Sequence, residues 1–472
     1  MPVPFAACRV NFDSSNETPT RKRHILLLLV FLHTLNTYMD RVCISSAAPD
    51  IQADLQLSDQ TMGHVFAMFA VGYALFQIPA GWLADRVGPR RVLIGIVGLW
   101  SVFTVLTGTA VNALWLLAVR FLFGVGEAGA FPGATRALQA WMPARERGLA
   151  QGIFHSGARV GAVLSLFSFP WLIAAIGWRW MFVVLGVIGA LWAVVWYAWF
   201  RDDPADHRGV NVAELGLIRA RAPQERAVEA TRPLWRTLAS SNALLAMFQY
   251  AASNATFFIS FTWLQPYLQQ RWGRETALLA PVPLLFGVAA QWSSGWLVSH
   301  LYGRGAHVAS RRVPAMAGFL ISAVGLVLCA WAAPDSPWPF VLCFGVAVFG
   351  AEMTISPSWS FCMDIGGGQA GAVSGAMNMV GNLGSALSAM LFPWFVAHVT
   401  MPGVAERTGT ANAFFVFAAG LNLLGAAAWL LMNPLRRTDA ASAASDRLRV
   451  VTLILVIVAV VAAVIYTKFF MK

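Results

Sequence analysis

Gly81-Trp82-Leu83-Ala84-Asp85-Arg86-Val87-Gly88-Pro89-Arg90-Arg91 reads as a short charged turn between two long apolar runs, 60–84 and 91–110. Gly81 admits close packing of a neighbouring helix, and Gly88 with Pro89 supplies a tight reversal. Asp85 can face the positive end of a helix beginning near Gly366 to Gly371, far along the chain. An ordinary basic loop accounts for Arg90 and Arg91 but not for the glycines with Asp85. The stretch therefore reads as a latch on one face of a membrane bundle, carried by Gly81, Asp85, Arg86, Gly88 and Arg90.

The rest of the chain has the composition this requires. Its 472 residues are 58% hydrophobic and 12% charged, outside the balance of a soluble domain. Runs of about 20 residues or more, enough to cross a bilayer, occur near 24–48, 60–84, 91–110, 113–136, 148–174, 178–200, 242–269, 277–300, 311–333, 338–362, 369–398 and 410–433. The net charge of +11 is spread over short basic clusters in alternate loops, such as Arg21-Lys22-Arg23, Arg90-Arg91 and Arg311-Arg312. That pattern reports cytoplasmic loops, not a nucleic-acid partner. Residues 1–20 lack a cleavable signal, so the amino terminus is expected in the cytoplasm. The five cysteines are unclustered and read as small buried residues, with no metal site.

The twelve runs fall into two related groups. Gln77-x-x-x-Gly81-Trp82-Leu83 is echoed by Gln291-x-x-x-Gly295-Trp296-Leu297, and Glu127 followed by Pro132 by Glu352 followed by Pro357. Gly148, Gly152, His155, Gly161 and Ser165 match Gly371, Gly375, Asn378, Gly384 and Ser388 at one constant offset. Such parallel repeats characterise transporters that rock two bundles about a central site. The expected organisation is a cytoplasmic tail 1–23, a six-helix bundle 24–200, a cytoplasmic linker 201–236 with a short amphipathic helix, and a second bundle 237–434. A basic tail with a thirteenth hydrophobic helix near 450–466 occupies 435–472. The fold class is all-α integral membrane protein.

Charged residues inside apolar runs are few, and such residues mark ion or substrate pathways. Asp40-Arg41 sits near the outer end of the first run. Arg120, Gly124 and Glu127 share one face of the fourth by their i, i+4, i+7 spacing. Counting inward from the ends puts Asp40 and Arg120 at similar depth, where an ion pair can form; Glu127 lies roughly 10 Å deeper at 1.5 Å per residue. A carboxylate between burial and a movable arginine can load and release protons. An arginine fork suits a carboxylate substrate. His155, the repeat counterpart of Asn378, is expected to face the cavity and could donate to a substrate hydroxyl or carboxylate, titrate near neutral pH, or serve simply as a histidine bonded between helices. Arg159, one turn on, enters the cavity or lies at its edge. Glu352, the counterpart of Glu127, has no membrane arginine in its own half to pair with.

The loop 81–91 with the doubled six-span layout closely resembles the major facilitator superfamily. Within it, Tyr38-Met39-Asp40-Arg41, Gly72-Tyr73-Ala74-x-x-Gln77-x-Pro79-x-Gly81, Arg120-x-x-x-Gly124-x-Gly126-Glu127-Ala128-Gly129, Ser358-Trp359 and Asn378-x-x-Gly381-Asn382 resemble the anion:cation symporters, the carriers of sugar acids and the sialin-like carriers. The resemblance implies a proton-coupled symporter importing an organic acid anion by alternating access. It implies Asp40 and Glu127 as proton carriers, and Arg41, Tyr73, Arg120, Trp359 and Asn378, joined by His155, around the substrate. The coupling ion is H+, with no cofactor; the expected setting is a bacterial inner membrane, as a monomer. The rival readings are an exporter of anionic metabolites or drugs with the same fold, and a membrane enzyme or nontransporting sensor. No catalytic motif or large soluble domain favours the enzyme.

Overall fold

The computed structural model describes residues 18–220, 233–259, 263–331, 336–398 and 412–435. The thirteenth apolar run near 450–466, most of the amino-terminal tail and the basic pair Arg436-Arg437 lie outside the described residues. Every regular element among the described residues is helical. Among the described residues nine segments are long and apolar enough to cross a membrane, and one of these, Pro337–Val396, makes two passes because it turns back at Gly367, whose φ is 51°. Span seven, Ser241–Phe257, and span eight, Val282–Gly303, complete a twelve-helix arrangement in two groups of six.

The first six spans are Lys22–Ser46, Asp59–Val87, Pro89–Gly108, Ala113–Trp141, Arg147–Ile176 and Trp178–Trp199; the last four are Ala309–Trp331, Pro337–Gly366, Ala370–His398 and Asn412–Leu431. Most ends fall within a few residues of the sequence expectation, and proline explains the exceptions. Span four divides into Ala113–Glu127 and Ala130–Trp141, and span ten into Pro337–Met353 and Ile355–Gly366. Pro132 and Pro357 each lack an N–H and press on the carbonyl four residues earlier, Ala128 and Met353. The freed Met353 carbonyl accepts a bond from the Ser294 hydroxyl at 2.5 Å, so the break is satisfied inside the bundle. Both breaks fall next to a buried acid, Glu127 or Glu352. The seventh run, read as continuous to 269, has its regular helix end at Phe257, and Leu264–Trp272 forms a separate helix containing Pro266.

The repeats found in the sequence turn out to be the contacts between the halves. Gly81 of span two packs on the backbone of Gly371 in span eleven, and Gly375 lies against the Gln77 carbonyl. Across the pseudo-twofold, Gly148 and Gly152 of span five pack on Gly295 and Gln291 of span eight. Only small residues allow such crossings. Each Gln-x-x-x-Gly segment thus meets the glycine ladder of the opposite half.

The linker grips the first half. Its helix Val212–Arg219 is capped by Asn211, which also bonds the Thr18 carbonyl at 2.9 Å. Buried Glu214 accepts from the amides of Lys22 (2.9 Å) and Arg23 (3.1 Å), from the Arg23 side chain (3.2 Å) and from the Thr20 hydroxyl. The acid therefore caps the start of span one, where the helix end is positive. Burial alone would raise its carboxyl, but these bonds hold it below the ordinary glutamate range. A lowered carboxyl stabilises the fold fully above the unfolded value of about 4.3, and that stabilisation is lost as pH falls through the lower folded value. Glu214→Gln is accordingly expected to lower the melting temperature at pH 7, with a difference from the parent that shrinks below about pH 4. An equal difference at both pH values would contradict the capping role.

Candidate functional site

Midway through the bundle, a cavity between the halves is lined by Tyr38, Arg41, Tyr73, Phe131, His155 and Arg159 from the first half. Tyr250, Asn254, Phe257, Ile355, Asn378 and Asn382 face them from the second. Four of the residues expected there, Arg41, Tyr73, His155 and Asn378, line it. Asp40, Glu127, Arg120 and Trp359 lie behind its wall.

Arg41 is the charged centre of the first half. Its Nε and Nη2 both lie 2.5 Å from Oε1 of Glu127. Its guanidinium carbon sits 4.5 Å from the Tyr73 ring centre, 5.1 Å from Tyr38, 5.3 Å from Phe69 and 5.9 Å from Phe131. These rings hold the cation away from water while leaving an edge toward the cavity. Glu127 comes to it because span four breaks just beyond, and Gly124, one turn earlier, lets spans two and four approach at Phe69 and Tyr73.

The ion pairing differs from the one expected. Asp40 does not bridge to Arg120; its Oδ2 meets the Asn36 amide at 3.4 Å, and Oδ1 has no hydrogen-bond partner among the described residues. Arg120 instead lies over the rings of Phe123 (4.4 Å) and Phe69 (5.1 Å), with the charges of Glu127 and Asp40 in its field. Matching depth was a sound inference, but depth does not fix which way around a helix a side chain turns. Glu127 also keeps one oxygen, Oε2, buried without a partner.

Glu352 is different in kind. Arg159 forks onto it, Nη2 to Oε1 at 2.7 Å and Nε to Oε2 at 3.0 Å, and the Gln291 amide bonds Oε2 as well. Both oxygens are satisfied by charge-assisted or amide donors. Its partner was missed because it comes from the other half. The counterpart glutamine, Gln77, has neither amide atom bonded among the described residues, so the two halves, alike in sequence, differ in how their acids are satisfied.

His155 faces the cavity, with its role narrowed. Nδ1 lies 3.0 Å from the Gln151 carbonyl, which can only accept, so Nδ1 carries the proton. Nε2, unpartnered among the described residues, is then an acceptor in the neutral ring; the donation to substrate expected from the sequence requires a second proton. Trp359 stands behind it, ring centres 4.7 Å apart, with its indole N–H on the Tyr250 hydroxyl at 3.0 Å. It braces the wall without lining it. Asn378 donates to the Tyr73 hydroxyl at 3.0 Å, a bond across the halves.

Asn254, Asn382 and Tyr250 were not anticipated, although the repeat contained a signal for two of them. At its constant offset Asn382 is the counterpart of Arg159. Gly161 packs on Leu35 while its counterpart Gly384 packs on Ala251, which makes Asn254 the counterpart of Tyr38.

On the linker face, Asp85 accepts from the amides of Gly371 (2.9 Å) and Ala372 (2.8 Å) at the start of span eleven, with the Arg136 Nε 3.6 Å away. Gly88, at φ 95°, and Arg90 tie the loop to the first half: the Arg90 amide bonds Asp202 at 2.8 Å and its guanidinium the Tyr197 carbonyl. Arg86 lies over the Trp82 ring at 4.6 Å. Gln139 reaches the carbonyls of Met363 and Gly367, and Ser299 receives the Leu149 amide. Among the described residues the hydrogen bonds across the halves end at mid-depth, with Tyr73 and Arg159. The bundle is closed on the linker face.

The family model described as Major Facilitator Superfamily matches residues 26–389. The chain is 34% identical over 426 residues to a probable sulfoacetate transporter of Cupriavidus necator, covering 89% of this chain and 96% of that protein. It is 31% identical to a probable galactarate/D-glucarate transporter of Bacillus subtilis (90% and 96% covered). A D-galactonate transporter of Escherichia coli is 30% identical (88% and 96% covered). Among solved structures, a proton:xylose symporter shares the fold at a TM-score of 0.64 and 14% identity, over 86% of this chain and 94% of that one.

Proposed function

Because the chain belongs to the Major Facilitator Superfamily and is a membrane transporter, we propose that it imports a small organic acid anion with protons by alternating access. The observation that carries this reading is the pair of buried oxygens, Glu127 Oε2 and Asp40 Oδ1, that lack partners beside an arginine already facing the cavity. A buried acceptor without a donor is unfavourable, and a proton on each oxygen removes the deficiency. Protonated Glu127 releases Arg41, whose fork then takes the substrate carboxylate. Deprotonation on the other side of the membrane returns Arg41 to Glu127 and expels the anion. The likeness to carriers named for sulfoacetate, galactarate, glucarate and galactonate supports an acid as cargo.

In this reading the linker face is cytoplasmic and closed, so the described state is poised toward the outside. Asp85 with Gly81, Gly88, Arg86 and Arg90 forms the latch of that state. Arg120 acts from behind the wall as a fixed positive charge beside the two acids, Tyr73 and Asn378 bind the remaining substrate oxygens, and His155, held in place by Trp359, accepts from a substrate hydroxyl through Nε2. The inner membrane of a bacterium and a monomeric state complete the proposal.

The test is uptake of sulfoacetate, D-glucarate and D-galactonate into liposomes with an alkaline interior. Uptake of at least one acid is expected, with Arg41→Gln lowering it about hundredfold, the loss of one desolvated charge-assisted contact of about 3 kcal/mol. No uptake of any of the three, or an Arg41→Gln variant as active as the parent, would sink the proposal. Inverted vesicles separate import from export.

A further inference from the structure

We infer that the cavity is built for a short two-headed anion, with Arg41 holding one head and Arg159 the other. This inference rests on the anion-transport reading above and names its substrate class. Arg159 is buried, yet it lines the cavity. Its bonds to Glu352 use Nε and one hydrogen of Nη2. A guanidinium has five N–H donors in a planar fork, so the far edge, Nη1 with the second hydrogen of Nη2, is not used by Glu352. Arg41 is placed alike: Glu127 takes its Nε side, and the opposite edge is left toward the cavity.

Both arginines lean on one ring. The guanidinium carbon of Arg41 is 5.1 Å from the centre of Tyr38 and that of Arg159 is 5.4 Å from it. The two carbons therefore lie no farther apart than these distances laid end to end. An anionic head gripped by a fork sits roughly 4 Å from the guanidinium carbon, given N–O contacts near 2.8 Å. The interval left between two such heads is at most about 2.5 Å, the span of one carbon atom. A short sulfonate-carboxylate or dicarboxylate spans it straight, whereas a six-carbon diacid has to curl. One-headed acids leave Arg159 with Glu352 and the Tyr38 hydroxyl, the contact a second head would displace. Each arginine is already matched by its own glutamate, so the second head needs a compensating charge, which the protons on Asp40 and Glu127 supply.

The test compares binding by thermal stabilisation of the purified full-length transporter, using malonate and sulfoacetate as short two-headed probes, acetate as a one-headed probe and D-glucarate as a long one. The parent is expected to bind the short two-headed probes at least about tenfold more tightly than acetate or D-glucarate, the gain of one added charge-assisted contact. Arg159→Gln should erase that preference while leaving acetate binding in place. If Arg159→Gln does not fold because Glu352 is left alone, the double variant Arg159→Gln with Glu352→Gln keeps the core neutral and makes the same prediction. A parent that binds malonate and acetate alike overturns the inference, as does a two-headed preference that survives removal of Arg159; in both cases loss of binding in Arg41→Gln would leave the anion site standing. No stabilisation by any probe would overturn the anion site and this inference together.

Discussion

Glu127→Gln is expected to abolish concentrative uptake of the acid while leaving exchange of labelled for unlabelled substrate. The variant keeps the size of the side chain, so the cavity persists, but it cannot shed a proton. Arg41 then has no carboxylate to return to, and a buried arginine without its acid is strongly unfavourable. The substrate anion becomes its best partner, so apparent affinity should rise or hold while net release slows. A pH difference of one unit supplies about 1.36 kcal/mol per coupled proton, about a tenfold accumulation. Counterflow and gradient-driven uptake, measured on the same proteoliposomes, separate the two behaviours; equal loss of both would mean that Glu127 serves the bundle alone.

Asp85→Asn carries the second large effect, on conformation. In the parent the carboxylate accepts two backbone amides at the first turn of span eleven, 2.9 and 2.8 Å away. Bonds of this kind, to a charged group at a helix start, contribute about 1.5–3 kcal/mol each. An amide can accept one of these bonds but brings a donor where the span offers only donors. Loss of about 2 kcal/mol shifts the balance between the closed and open linker face roughly thirtyfold. Labels at exposed Arg145, just before span five, and exposed Arg304, just after span eight, report on the two spans that cross at Gly148 and Gly295, and a longer distance is expected in the variant. An unchanged distance distribution would show that glycine packing alone keeps the face shut.

What could be read from the chain follows from which properties are local. Gly81, Asp85 and Gly88 were legible because turn chemistry and helix-end charge depend on neighbours in sequence, and the structure has Asp85 on the amides of Gly371 and Ala372. The repeat was legible too, and it carried more than symmetry: its glycines and glutamines are the surfaces on which the halves meet. Pairing was not legible. Whether Asp40 meets Arg120 or Glu127 meets Arg41 depends on helix rotation, and Arg120 turns to Phe69 and Phe123 instead. Glu352 looked unpartnered because its arginine, Arg159, lies across the interface. The breaks in spans four and ten were written in Pro132 and Pro357, which the hydropathy of the runs concealed. The donor role given to His155 is limited at a different level, since its Nδ1–H already donates to the Gln151 carbonyl four residues back and leaves Nε2 an acceptor in the neutral ring.

The pairing also sets the two halves apart. Glu352 holds three donors on two oxygens, while Glu127 keeps one oxygen bare. The same position in the repeat has both oxygens bonded in one half and one oxygen without a partner among the described residues in the other.

The central claim is that anion and proton move together through Asp40 and Glu127. It is tested most directly by following proton entry into voltage-clamped liposomes, loaded with a pH-sensitive dye, when sulfoacetate or D-glucarate is added outside. The account predicts internal acidification that tracks anion uptake in the parent and disappears in the Glu127→Gln variant. Anion uptake with no acidification, or acidification undiminished in that variant, would contradict it.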